Sequence, residues 1–235
     1  MGIGEDYAAE LAAGLRARGC GPRRVGVGVG RQALLDRLRS LLGWCGSLEL
    51  ALGTQHPMVT VRYGPVAVLG YPLRGEEAAL VASLWDATRE VGMAAALLEG
   101  VRGFCASAGC SVRAERLPSA IHLATAPDCA YCPYAFVALS SLAWATGVAL
   151  TVYCLSGDVE GGIFTAEDVA AAFASATGVE PRGVPLVVAG GREVVGAPAD
   201  PLAAAAYYLY ELGAVTGFGS ARALLRALAE AGVIR

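Results

Sequence analysis

The chain contains no lysine and no asparagine; all 18 of its basic residues are arginine, set against 21 acidic residues and a formal net charge of −3. That balance leaves no basic surface of the kind that grips nucleic acid or an anionic membrane, and it points to proteins or small thiols as partners. Absent asparagine fits adaptation to heat, whereas absent lysine runs against the hyperthermophile trend and is what a GC-rich genome would produce. Histidine is scarce. His56 adjoins Pro57 and His122 lies inside a strand-like run, so packing or a local hydrogen bond accounts for each better than metal ligation does. The opening Met1-Gly-Ile-Gly-Glu-Asp6 is acidic and leads into an amphipathic stretch rather than an apolar core, so no secretory leader is visible and a cytoplasmic location is expected. Gly26-Val-Gly-Val-Gly30 lacks the spacing of a dinucleotide loop, and no acid follows about twenty residues on at a strand end.

One uncharged run, Cys129 to Gly157, is long enough to cross a bilayer. Gly147 divides it into Tyr131–Thr146, rich in Ala, Leu and Ser, and Val148–Leu155, which alternates branched residues. A core helix followed by a core strand explains both parts.

With 235 residues, 55% of them apolar, the chain suits two units of about a hundred residues each. The first half reads as a helix over Glu5–Arg18, a strand over Arg24–Val29, a helix over Gln32–Leu42 and a strand over Leu48–Leu52. Met58–Arg62 and Pro65–Leu69 then form a hairpin about Tyr63-Gly64, followed by helices from about Gly75 to Val91 and over Met93–Phe104. Arg113–Ser119 reads as a loop. In the second half a strand over Ile121–Thr125 precedes the helix to Thr146 and the strand to Leu155. Thr165, with Asp168 three residues on, caps a helix running to about Ala176. After it come Val184-Pro185-Leu-Val-Val188, Arg192–Val195, a helix over Pro201–Leu212 and a last helix over Ser220–Ala231. The two halves share an order: His56-Pro57 and Val184-Pro185 each open a strand that leads through a turn to a second strand, a Gly-X-Pro (70–72 and 196–198) and a helix. Two copies of one βαβ…ββα unit are the simplest account. Trp44, Trp85 and Trp144 read as core anchors, and Tyr207, Tyr208 and Tyr210 as helix packing.

Seven cysteines stand at 20, 45, 105, 110, 129, 132 and 154. The pair in Thr125-Ala-Pro-Asp-Cys129-Ala-Tyr-Cys132-Pro-Tyr134 lies between a strand-like and a helix-like run. A cysteine just before a helix meets unpaired N–H groups and the positive end of the helix dipole, which can bring a thiol from about 8.5 into roughly the 3.5–7.5 range. The second cysteine, one turn on, can resolve a mixed disulfide on the first, so the pair suits thiol–disulfide exchange. Cys105 and Cys110 could close a disulfide of their own. A competing reading joins Cys105, Cys110, Cys129 and Cys132 in a four-thiolate zinc site. Cys20, Cys45 and Cys154 read as small apolar core residues, with a Cys20–Cys45 bridge left open.

Strand, Cys-X-X-Cys, helix, strand, helix, X-Pro, hairpin, helix is the order of the thioredoxin fold. Two fused units with Pro133 after the dithiol resemble the archaeal protein disulfide oxidoreductases, also called glutaredoxin-like proteins. The resemblance is specific over 120–212 and looser over 1–104, where Val27-Gly-Val-Gly30-Arg-Gln stands in place of the first dithiol the family carries. It implies an α/β chain of two fused thioredoxin-like units, each a mixed central sheet flanked by helices: a degenerate unit over 1–104, a linker over 105–119, an active unit over 120–212 and a helical tail over 213–235. It further implies Cys129 as attacking thiolate, Cys132 as resolving thiol, Pro185 in a cis peptide across from them, and Val184 and Tyr131 as contacts for an extended substrate. No bound cofactor is implied; electrons would come from a separate flavoprotein reductase resembling thioredoxin reductase. Ala130-Tyr131 is nearer the Pro-Tyr of glutaredoxins than the Gly-Pro of thioredoxins, which places the expected potential nearer about −200 to −230 mV than about −270 mV. Asp128, beside Cys129, opposes thiolate formation. Isomerase activity drawn from two dithiols is not expected. An uncovered edge strand in the first unit would allow a homodimer. From another class, the double fold could be a docking platform without catalysis.

Overall fold

The computed structural model describes residues 25–29, 48–52, 60–70, 91–155 and 165–234, together with Gln32, Leu35, Asp36, Arg39, Ser40 and Trp44. The helix expected over Glu5–Arg18, most of the one before Val91, His56-Pro57, Pro72, Trp85 and the Cys20–Cys45 bridge lie outside these residues. The described residues fall into two compact units, one drawn from 1–89 and 153–180, the other from 90–152 and 181–235.

In the first unit, β1 (Val25–Val29), β2 (Leu48–Leu52), β3 (Thr60–Tyr63) and β4 (Val66–Leu69) lie in the order β2-β1-β3-β4. β1 and β2 run parallel, while β3 is antiparallel to both β1 and β4. The hairpin turns at Gly64, whose φ of 54° lies in the left-handed region that suits glycine. Leu35, within the stretch expected to be helical, is buried; Trp44, expected in the core, is 45% exposed. Its position just past the helical residues, in a turn, sets it on the surface.

The second unit holds α1 (Val91–Ala108), β5 (Ser111–Val112), β6 (Ala120–Thr125), α2 (Cys132–Thr146), most of β7 (Ala149–Cys154), β8 (Leu186–Ala189), β9 (Arg192–Val195), α4 (Pro201–Glu211), β10 (Val215–Thr216) and α5 (Ala221–Glu230). Its main strands lie in the order β7-β6-β8-β9, with β8 antiparallel to both β6 and β9. The same positional pattern thus recurs in both halves. α3 (Ala166–Thr177) belongs with the first unit and begins with the expected capping box, Thr165 accepting from the Asp168 amide and Asp168 accepting from the Thr165 amide.

α1 packs on α2, α2 on α4 and α4 on α5. Ile121, Leu123, Leu139, Leu142 and Leu209 are fully buried there, each stabilising the fold by about 1.5–3 kcal/mol relative to an exposed side chain. α2 carries no charge, and the buried Ser140 Oγ donates within the helix to the Phe136 carbonyl at 2.6 Å. Gly147, with φ 77°, ends the helix and β7 follows, so the uncharged run is a core helix and a core strand. Among the described residues no helix is long and apolar enough to cross a membrane.

Residues 105–119 hold the last turn of α1, β5 and a short 3-10 turn, Ala114–Arg116. β5 pairs antiparallel with β10, so the chain just after α1 and the chain just after α4 meet in a small sheet. Ser111 and Thr216 hydroxyls lie 2.8 Å apart across it, and Phe104 stacks with Phe218 at 6.3 Å.

Candidate active site

β6 delivers the chain to a tight turn at its C-terminal end. The Cys129 amide donates to the Ala126 carbonyl at 3.3 Å, closing the turn around Pro127 and Asp128. Proline presets the φ that the first central turn position needs, and aspartate serves well at the second. Cys129 therefore leaves the turn directly below the first residue of α2. There Tyr131 occupies the N-cap without a side-chain hydrogen bond, and no acid stands in the first helical turn. The first amide of the helix, that of Cys132, donates to Cys129 Sγ at 3.1 Å and shares its hydrogen with the Cys129 carbonyl at 3.2 Å.

Cys129 and Cys132 are joined in a disulfide, with Cα atoms 5.4 Å apart. Cys129 is partly exposed, whereas Cys132 is 4% exposed. Cys129 is therefore the more open of the pair. Tyr131, 52% exposed, stands on the rim beside them, and Asp128 lies in the solvent, where screening is strongest.

The Val184–Pro185 peptide is cis. Leu186 pairs with Ala124, so Pro185 falls one register step further, opposite Thr125, at the sheet end that carries the dithiol turn. Val184, one residue out, is partly exposed. Cys129, Cys132, Tyr131, Val184 and Pro185 are thus brought to one end of one unit.

Cys105 and Cys110 form a second disulfide, with Cα atoms 4.5 Å apart. It precedes β6 in the chain, whereas the first disulfide follows it. Cys105 is 1% exposed in the last turn of α1, where carbonyls and the negative dipole end disfavour a thiolate. The zinc reading is corrected by this pairing: the four sulfurs join two by two, one pair on each side of β6. Among the described residues no group of histidine, cysteine and carboxylate side chains could hold a metal ion. Cys154 is buried in β7. His122, half-buried in β6, is held below the usual histidine range by loss of solvent.

One buried hydrogen bond of this unit gave no sign in the sequence. Tyr208 is completely buried, and its hydroxyl donates to the Gly196 carbonyl at 2.8 Å. An aromatic triplet in a helix announces packing, and the partner, twelve residues earlier, lies in a loop with no pattern to mark it.

A mixed α/β chain with a partly exposed Cys-X-X-Cys disulfide at a helix N-terminus is the class that fold and site define. In solved structures the chain is similar to a protein disulfide oxidoreductase from Aeropyrum pernix, with 22% identity, 88% of this chain and 90% of that chain covered, and a TM-score of 0.45. No protein-family model matches the chain, and no curated protein does.

Proposed function

We propose that the protein is a thiol–disulfide oxidoreductase that acts on protein disulfides through Cys129 and Cys132. The reading is carried by the sulfur of Cys129, which accepts the first amide of α2 while remaining reachable from solvent. It includes two fused thioredoxin-like units, 1–104 without a dithiol and 120–212 with one, joined through 105–119 and followed by the tail 213–235. The cytoplasm is its place of action.

In the reducing direction the Cys129 thiolate attacks one sulfur of a substrate disulfide. A Cys129–substrate bond forms, the substrate S–S bond breaks, and the departing thiolate takes a proton from solvent. Cys132 loses its proton and attacks Cys129 Sγ, closing the internal disulfide and releasing the second substrate thiol. Two electrons pass from protein to substrate, and a flavoprotein reductase returns them. The positive end of the helix favours the first thiolate, and burial keeps Cys132 for the intramolecular step. Val184, Pro185 and Tyr131 border the approach of an extended peptide.

The test is equilibration with defined ratios of reduced to oxidised glutathione, acid trapping, and mass spectrometry of each cysteine pair. A 129–132 disulfide that forms and opens reversibly between about −120 and −270 mV supports the enzyme. A pair that stays closed or stays open across that span removes the enzyme reading and leaves a docking platform.

A further inference from the structure

A buried tyrosine hydroxyl costs about 1–3 kcal/mol when it lacks a partner, so its partner shows what the residue is arranged around. Tyr208 sits among the alanines of α4 with no exposed surface. Its hydroxyl donates to the carbonyl of Gly196 at 2.8 Å. The amide of the same glycine donates to the carbonyl of Pro185, also at 2.8 Å. Gly196 has φ +84°, a conformation that side chains beyond hydrogen rarely adopt, so its peptide groups can face α4 on one side and Pro185 on the other. The result is a chain of two hydrogen bonds from the rigid core of α4 to the residue that stands opposite Thr125 at the dithiol end of the sheet.

We propose that Tyr208 is a positioning residue for the Val184–Pro185 segment, acting through Gly196 to set how a substrate peptide is received beside Cys129. The proposal rests on the oxidoreductase reading. Burial, and secondarily the neighbouring Tyr207, keep the Tyr208 hydroxyl protonated far above the usual tyrosine range, so it remains a donor wherever the protein is folded. Tyr207 provides the internal control: its hydroxyl donates to the Val195 carbonyl at 3.1 Å at an exposed position, one residue before Gly196, and Val195 pairs with Leu186 rather than with Pro185.

The experiment compares the full chain with Tyr208→Phe and Tyr207→Phe in dithiothreitol-driven reduction of insulin. Cys129 alkylation against pH is followed in all three. Loss of one neutral hydrogen bond is worth ~1 kcal/mol, or about five-fold in an equilibrium. Tyr208→Phe therefore raises KM about five-fold with kcat and the alkylation profile unchanged, and Tyr207→Phe moves none of them. An unchanged KM in Tyr208→Phe overturns the proposal, even if thermal stability falls. A parent chain that does not turn over insulin removes the oxidoreductase reading itself, and the proposal with it. Hydrogen exchange of the parent protein gives an independent check should Tyr208→Phe not fold. A Gly196 amide as protected as those of β8 supports the network, and one exchanging like an exposed loop overturns it.

Discussion

The backbone amide of Cys132, the first residue of α2, donates to the sulfur of Cys129 at 3.1 Å and to the Cys129 carbonyl at 3.2 Å. An oxygen acceptor would keep its charge state; a sulfur acceptor changes charge whenever the disulfide is reduced to a thiolate, and the helix end responds most strongly to the anion.

Single substitutions should separate the two cysteines. Cys132→Ser retains attack but lacks the resolving thiol, so it accumulates a mixed disulfide with oxidised glutathione or insulin. Cys129→Ser accumulates none and turns over nothing. Mass spectrometry of acid-trapped protein reads both. Equal trapping by the two variants would contradict the assigned order.

Capping predicts a stability difference between two variants that both lack the disulfide. Serine at 129 keeps a side-chain acceptor for the Cys132 amide, whereas alanine leaves that amide only the carbonyl of residue 129, 3.2 Å away, so Cys129→Ala should be less stable than Cys129→Ser by at most about 1 kcal/mol. Urea denaturation with equal slopes measures it.

Opposite helix ends predict opposite redox behaviour for the two bridges. Cys105 is buried at the C-terminal end of α1, where a thiolate is disfavoured, so the 105–110 bridge should remain closed at glutathione potentials that open 129–132. Replacing Cys105 and Cys110 together by alanine should cost roughly 2 kcal/mol on loop-closure grounds while insulin reduction continues. Loss of turnover in that double variant would give the second bridge a catalytic part.

Acid and alkali should each weaken the fold, for different residues. His122 titrates below its ordinary value because burial penalises the charged form. Between its folded and unfolded values the unfolded chain binds more protons, so stability falls as pH drops through about 6.5 and levels off below the folded value. Tyr153, Tyr207 and Tyr208 are all shifted upward, first by burial, with Glu211 adding to Tyr207 and Tyr207 adding to Tyr208. Above about pH 10 the unfolded chain loses protons that the folded chain retains, and stability declines again. Urea midpoints across pH test both arms; His122→Gln should flatten the acid arm only.

Much of the second half could be read in advance because its signals are local. The Thr165/Asp168 box, the glycine after Thr146 and the Cys-X-X-Cys spacing are set by near neighbours in sequence, and each stands where the pattern put it. What escaped depends on chain distant in sequence. β5 and β10 are two residues each, too short for an alternating pattern, and become strands only by pairing with each other. Trp44 was assigned to the core by residue type alone, yet a turn position exposes it. The partner of the Tyr208 hydroxyl is a backbone carbonyl, which no side-chain pattern reports.

Gly217 approaches the second disulfide so closely that a Cβ there would lie 2.9 Å from Cys110 Cα and 3.0 Å from Cys110 Cβ. At φ +106° the position would also resist any larger residue on backbone grounds. The crowding atoms are the Cα and Cβ that any residue but glycine would carry at 110, so in a drifting lineage the glycine stays constrained even where the cysteine is lost. Related chains should include some with the glycine and no bridge, and few with the bridge and no glycine.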